Sequence, residues 1–194
     1  MDKVLDEIQR EVFYCGKVRS WMNGKTQIFL LGIDEDAFFV FTHVVKHMFK
    51  GGIGLRQICD WCRLLWMYRD SVNRGILKSR ISRAGLMTEW KVLASLAVDN
   101  IGMPAEAMPL YSPANKWKRK AGRILGFILE TGNFGQNRDL NYQTEYTGFV
   151  RKALTLWKQM KDNMRLALVF PLDSIRFLFS FTIIKTRKAI KNLL

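Results

Sequence analysis

The chain has 194 residues, with 31 Lys and Arg against 17 Asp and Glu and a formal net charge of +14. Its 48% hydrophobic and 12% aromatic content is that of a folded protein able to bury a core, which excludes a disordered tail. The charge is uneven: residues 112–194 hold 16 basic against 5 acidic side chains, residues 1–111 hold 15 against 12, and an anionic partner is expected for the second half.

The opening segment, Met1-Asp-Lys-Val-Leu-Asp-Glu-Ile-Gln-Arg-Glu11, is charged where the apolar stretch of a secretory signal would begin, so no leader is expected. Its apolar spacing predicts an amphipathic helix from Asp2 to about Trp21. Asn23-Gly24 then signals a turn, and Lys25 to Ile33 has strand character, the one convincing strand of the chain. Asp34 can cap a helix starting at Glu35, with Phe38, Phe41, Val45 and Met48 on its apolar face, until Gly51-Gly52 stops it. A second helix from about Ile53 to Arg69 repeats Leu55, Ile58, Cys59, Cys62, Leu65 and Trp66 at three- and four-residue steps. Together they predict a helical hairpin at residues 35–69.

Beyond Asp70-Ser71, Ile76 to Arg83 and Met87 to Ile101 read as two more helices, the second ending before Gly102. Pro104 to Pro113 holds three of the four prolines and marks the change in charge, which divides the chain into a helical subdomain at 1–111 and a basic helical subdomain at 112–194. Lys116 to Glu130 is a basic amphipathic helix, residues 131–141 are a polar loop, and two long helices follow, Thr144 to Val169 and Leu172 to Leu194. The expected fold is mainly α, a helical bundle with at most one short strand near the N-terminus.

The three cysteines, Cys15, Cys59 and Cys62, are an odd number, which points to a reducing, cytoplasmic setting. The Cys59-x-x-Cys62 pair has neither a second thiol pair at zinc-ribbon spacing nor a βα context, so core packing is the simpler reading over redox or metal chemistry. The most apolar window, Leu166 to Ile184, is broken by Pro171, Asp173 and Arg176, which argues against a spanning helix.

Reactive side chains are densest around the hairpin. On a helix His43 lies over His47 and Arg56 over Asp60, so two helices joined at Gly51-Gly52 can bring an imidazole pair near a guanidinium and a carboxylate. The set suits phosphate or metal, and equally a purely structural role. The glutamate of a zinc-protease helix is absent. The N-terminus of the second helix, with backbone N–H groups from Gly52 and Gly54, is a candidate anion seat that Arg56 would complete. Lys116, Lys118, Arg119, Lys120 and Arg123, interleaved with Trp117 and Phe127, can track a polyanion, although such a run is usually a solvated face and nucleic acid is the less favoured partner. Arg176 to Lys191 would suit peripheral contact with an anionic membrane, or packing of an amphipathic helix on the protein body.

The run Phe39-Val-Phe-Thr-His-Val-Val-Lys-His-Met-Phe-Lys-Gly-Gly-Ile-Gly-Leu-Arg-Gln-Ile-Cys-Asp-Trp61 resembles the helical region of an uncharacterised nucleotidyltransferase family common in gut Bacteroidales. Ile128-Leu-Glu-Thr-Gly-Asn-Phe-Gly-Gln-Asn-Arg-Asp139 and Val169-Phe-Pro-Leu-Asp-Ser-Ile-Arg176 resemble its C-terminal pieces, so the likeness spans roughly residues 36–180. Its members resemble polymerase-β-like enzymes, in which a Gly-Ser or Lys-Gly segment and paired strand aspartates hold Mg²⁺ and nucleotide upstream of the helices. This chain departs from that pattern. Asp34 and Asp36 have D-x-D spacing, but no glycine-rich segment precedes them at a suitable distance, and helix capping is the plainer role.

The resemblance implies the C-terminal helical portion of a nucleotidyltransferase-like protein. It would position substrate or nucleotide phosphates for a catalytic domain absent from this chain, with no cofactor of its own and Mg²⁺ entering only with that domain. The expected partners are a nucleotide or phosphorylated substrate and a separate nucleotidyltransferase domain. Two other classes stand beside it: a module binding acidic lipid or nucleic acid through the basic half, and a stand-alone enzyme with His43, His47 and Asp60 around a metal.

Overall fold

A computed structural model describes residues 1–15, 18–50, 52–132, 148–172 and 174–175. The fold is mainly α. Helix α1 (Asp2–Cys15) is one-faced, with Val4 and Ile8 buried and the remainder turned to solvent. It ends earlier than its apolar spacing predicts. Val18–Asn23 is strand β1, paired antiparallel with β2 (Thr26–Leu31) in the register Val18↔Leu31 to Asn23↔Thr26. The single expected strand is therefore two, because an extended segment needs a neighbour for its backbone N–H and C=O groups and Thr26–Leu31 finds one across the turn. Gly24, at φ 62°, opens the two-residue loop with Lys25, and a positive φ there is the requirement of a type II′ hairpin.

Helix α2 (Ile33–Lys50) begins with Asp34, Glu35 and Asp36 at the positive end of its dipole and buries Phe38, Phe41, Val45 and Met48, as their spacing predicts. Helix α3 (Leu55–Met67) buries Ile58, Trp61, Cys62 and Leu65. Cys59 and Trp66, expected on that stripe, face outward instead, and Trp61 takes the central place. A bulky indole fits the space between helices only on the 58–61–65 line, and this rotates its neighbours away.

Helix α4 (Arg74–Ala84) is capped by Asn73, whose side-chain oxygen accepts from the N–H groups of Gly75 (3.0 Å) and Ile76 (3.1 Å). Helix α5 (Met87–Ser95) continues into a π-helical segment, Leu96–Ile101. Helices α6 (Asn115–Thr131) and α7 (Gly148–Ala167) complete the described bundle. The start of the helix expected at Thr144, most of the polar loop, and nearly all of the helix expected over Leu172 to Leu194 lie outside the described residues.

The core centres on three aromatic side chains with no exposed surface. Trp61 and Trp90 meet edge to face, with ring centroids 5.1 Å apart, and Phe41 lies 4.7 Å from Trp90. Helix α6, beyond the charge boundary near residue 111, contributes Ala121, Ile124, Phe127 and Ile128 to the same hydrophobic cluster. Arg80 on α4 reaches Glu35 on α2 (2.7 Å) and Glu11 on α1 (3.1 Å), and both Arg80 and Glu35 are buried. Removing one member of such a pair leaves an unmatched charge at a cost of about 3–5 kcal/mol. Among the described residues, no helix is long and apolar enough to cross a membrane.

Candidate functional site

The histidine pair is real as a contact. His43 and His47 lie one turn apart on α2 with ring centroids 4.3 Å apart, and Phe39 stacks on His43 at 6.3 Å. Steps of four residues place the three rings in a row, with Phe39 and His43 exposed and His47 half-buried. Burial, the neighbouring His43 and Lys50 all hold the His47 imidazole below its usual value, which favours its neutral form. Phe39 was not singled out by sequence, although its position four residues before His43 was the available signal.

Arg56 and Asp60 are both exposed on α3, and no ion pair joins them among the described residues. The candidate anion seat at the start of α3 is partly spoken for by the protein itself. Gly52, at φ 100°, donates its N–H to the His47 carbonyl (3.2 Å), and the Gly54 N–H donates to Gln57 Oε1 (3.1 Å). These bonds satisfy donors that an anion would otherwise receive.

The basic run on α6 divides into side chains engaged in packing and side chains facing solvent. Lys120 Nζ donates to the Val169 carbonyl (2.6 Å) and fastens the chain beyond α7 to α6. Lys118 lies 3.4 Å from Asp99, and the Lys116 ammonium sits 4.6 Å from the centre of the Trp117 ring. Arg119 and Arg123 are exposed, and Arg123 lies on the rim of a cavity of about 460 Å³ floored by Ile124, Phe127, Leu166 and Val169.

The D-x-D pair is absorbed into the scaffold. Asp34 Oδ1 accepts the Asn73 N–H (2.7 Å), which joins α2 to the cap of α4. Asp36 pairs with Arg19, whose Nε also donates to the Leu31 carbonyl (2.7 Å) and whose Nη1 donates to the Tyr68 hydroxyl (3.1 Å). Burial pushes the Asp36 carboxyl up despite the pull of Arg19. No group of three or more His, Cys, Asp or Glu positioned to hold a metal occurs among the described residues. Cys62, buried and beside Cys59, has its thiol pushed up to about 12, and Cys59 is exposed.

A second cluster was invisible in the sequence. Asp99, in the π-helical segment, accepts from the Ser95 hydroxyl (2.6 Å) and the Tyr111 hydroxyl (2.9 Å) and faces Lys118. Burial pushes its carboxyl up, and these three partners together outweigh that and hold it below its usual value. The same hydrogen bond, after burial, pushes the Tyr111 phenol up. Next to Tyr111, Leu110 adopts a left-handed backbone (φ 59°), held where Lys91 Nζ donates to its carbonyl and Trp90 Nε1 donates to the Pro109 carbonyl (2.7 Å). The Ser95–Asp99 spacing was legible, but nothing in the sequence brings Tyr111 and Lys118 to it. All of the donors around Asp99 are mutually satisfied, which makes the cluster a clamp between α5, the 103–114 loop and α6.

Comparison of the chain with protein-family models, with curated proteins and with solved structures finds no match.

Proposed function

We propose that this chain is the helical portion of a nucleotidyltransferase-like protein. It positions a nucleotide or phosphorylated substrate against a catalytic domain outside these 194 residues and performs no transfer by itself. The observation that carries this reading is the β hairpin. It is a two-stranded sheet whose outer edges have no strand partner among the described residues, and it exposes Val18, Met22 and Phe29 on one face and Trp21 and Leu30 on the other. A bare two-stranded hairpin is marginal in water, and apolar side chains on both faces are suited to being covered by a second domain.

The engagement of Asp34 by Asn73 and of Asp36 by Arg19 supports the same reading, since neither carboxylate is placed with the other for a two-metal site. The Phe39–His43–His47 row, with Arg56 and Asp60 on the adjoining helix, supplies the side chains offered for substrate or interdomain contact. The test is Mg²⁺-dependent nucleotidyl transfer by the purified 194-residue chain, with each nucleoside triphosphate and a panel of hydroxyl and phosphate acceptors. No transfer is expected, and detectable transfer overturns the proposal. Joined to the reading frame that precedes it, the chain is expected to gain activity that is lost in the Trp21→Ser/Phe29→Ser variant.

A further inference from the structure

Helix α7 carries two apolar surfaces. At its C-terminal end Asn163 and Leu166 are buried, and the chain just beyond buries Val169 and Phe170, with Phe170 against Phe49 on α2 (ring centroids 6.1 Å). On a different face, Val150, Trp157, Met160 and Met164 are exposed, Trp157 by 66% and Met164 by 69%. Their steps of seven, three and four residues keep them within an arc of about 80° at 100° per residue. Leu168, Leu172 and Ile175 continue the exposed apolar surface past the helix end.

The charge on this helix is one-sided. Gly148–Ala167 contains five Lys and Arg against the single Asp162. Lys158, Lys161 and Arg165 follow one border of the apolar stripe, spaced so that their ammonium and guanidinium groups emerge beside it. Arg165 is already anchored there, 2.7 Å from Glu130 and 5.7 Å from the centre of the Phe127 ring. An apolar stripe holding a Trp and two Met residues, bordered by cations, in a chain of +14, is complementary to a surface that is apolar below and anionic above.

We propose that the outward face of α7 docks this protein on an anionic lipid surface, with Trp157, Met160 and Met164 entering the headgroup boundary and Lys158 and Lys161 meeting lipid phosphates. A nucleic acid would take the cations and leave the stripe in water, and an electroneutral protein surface would take the stripe and leave the cations unmatched. The inference is independent of nucleotidyl transfer. It also places membrane contact on α7 and not on residues 176–191.

The test is co-sedimentation of the full chain with vesicles of phosphatidylcholine alone and with an equal mixture of phosphatidylcholine and phosphatidylglycerol, at low and high salt. Binding is expected to the mixed vesicles only and to fall as salt rises. The variant Met160→Glu/Met164→Glu is expected to bind about tenfold more weakly or worse, since it replaces buried apolar area with like-charged repulsion. Its helicity is checked by circular dichroism, and Trp157→Gln/Met164→Gln serves as a second variant that adds no charge. Wild-type affinity in both variants overturns the proposal, because it puts the contact elsewhere. So does absence of binding to mixed vesicles, or capture of single-stranded DNA in preference to them.

Discussion

The α2–α5 body and the two peripheral elements, the β hairpin and α7, use the same kinds of side chain in opposite ways. In the body, Phe41, Trp61 and Trp90 have no exposed surface and the one buried cation, Arg80, has two carboxylate partners. In the periphery, Trp21, Phe29, Trp157 and Met164 are more than half exposed. The body is complete by itself, whereas the periphery is shaped for something else to cover it. Apolar content alone does not distinguish the two, since what separates them is whether the chain folds back far enough to supply the opposite wall.

If that contrast holds, mutations in the two regions must differ in kind. Trp90→Ala, which opens a cavity at the meeting point of Phe41 and Trp61 and orphans the Pro109 carbonyl, is expected to cost about 3–5 kcal/mol, read from chemical denaturation. Arg80→Ala, which strands Glu35 in the interior, is expected to cost about 3 kcal/mol, and the double change Arg80→Met/Glu35→Leu is expected to recover most of it. A smaller loss, about 1 kcal/mol, is expected from Asn73→Ala through the α4 cap. Trp21→Ser/Phe29→Ser is expected to change stability by no more than about 0.5 kcal/mol while reducing self-association. A large loss there would show that the hairpin is part of the body and would break the comparison.

Acid sharpens the same picture. The folded value of His47 is depressed, so the folded state takes up a proton less readily than the unfolded chain, and stability falls as pH drops through the unfolded value near 6.5. Asp99 is depressed too. Its contribution is complete above the usual carboxylate value of 3.8 and is lost as pH falls through its lower folded value. Asp36, raised by burial, works in the opposite sense in that range. Thermal unfolding between about pH 7 and pH 5 should therefore show a decline that His47→Gln flattens.

Much of the helical plan was legible because local chemistry carries it. Phe38, Phe41, Val45 and Met48 announce the buried face of α2, Asn73 and Gly85 bracket α4, and Asn23-Gly24 marks the hairpin turn. The errors are tertiary in origin. Val18–Asn23 was taken for helix because its apolar spacing fits either period, and only the pairing with Thr26–Leu31 decides. Cys59 and Trp66 satisfy the apolar pattern of α3 as well as Trp61 does, and the volume between helices selects Trp61. At the candidate site, the His43–His47 contact follows from spacing alone. The commitments of Asp36 to Arg19, of Gly54 to Gln57 and of Lys120 to Val169 join groups from different elements or turns that no local rule pairs.

The π-helical segment Leu96–Ile101 has a consequence for how this chain tolerates change in length. A π turn holds one residue more than an α turn, so the segment behaves as a single-residue insertion accommodated inside a continuous helix. Excising one residue there would restore α geometry and rotate everything that follows by about 100° relative to α5. Tyr111 and Lys118 would be carried away from Ser95 and Asp99, and α6 would meet α5 with the wrong face. Most one-residue deletions in a helix shift its register at once. In homologous chains of different length, this is the position within the bundle where a missing residue would be matched by a compensating gain in the 103–114 loop.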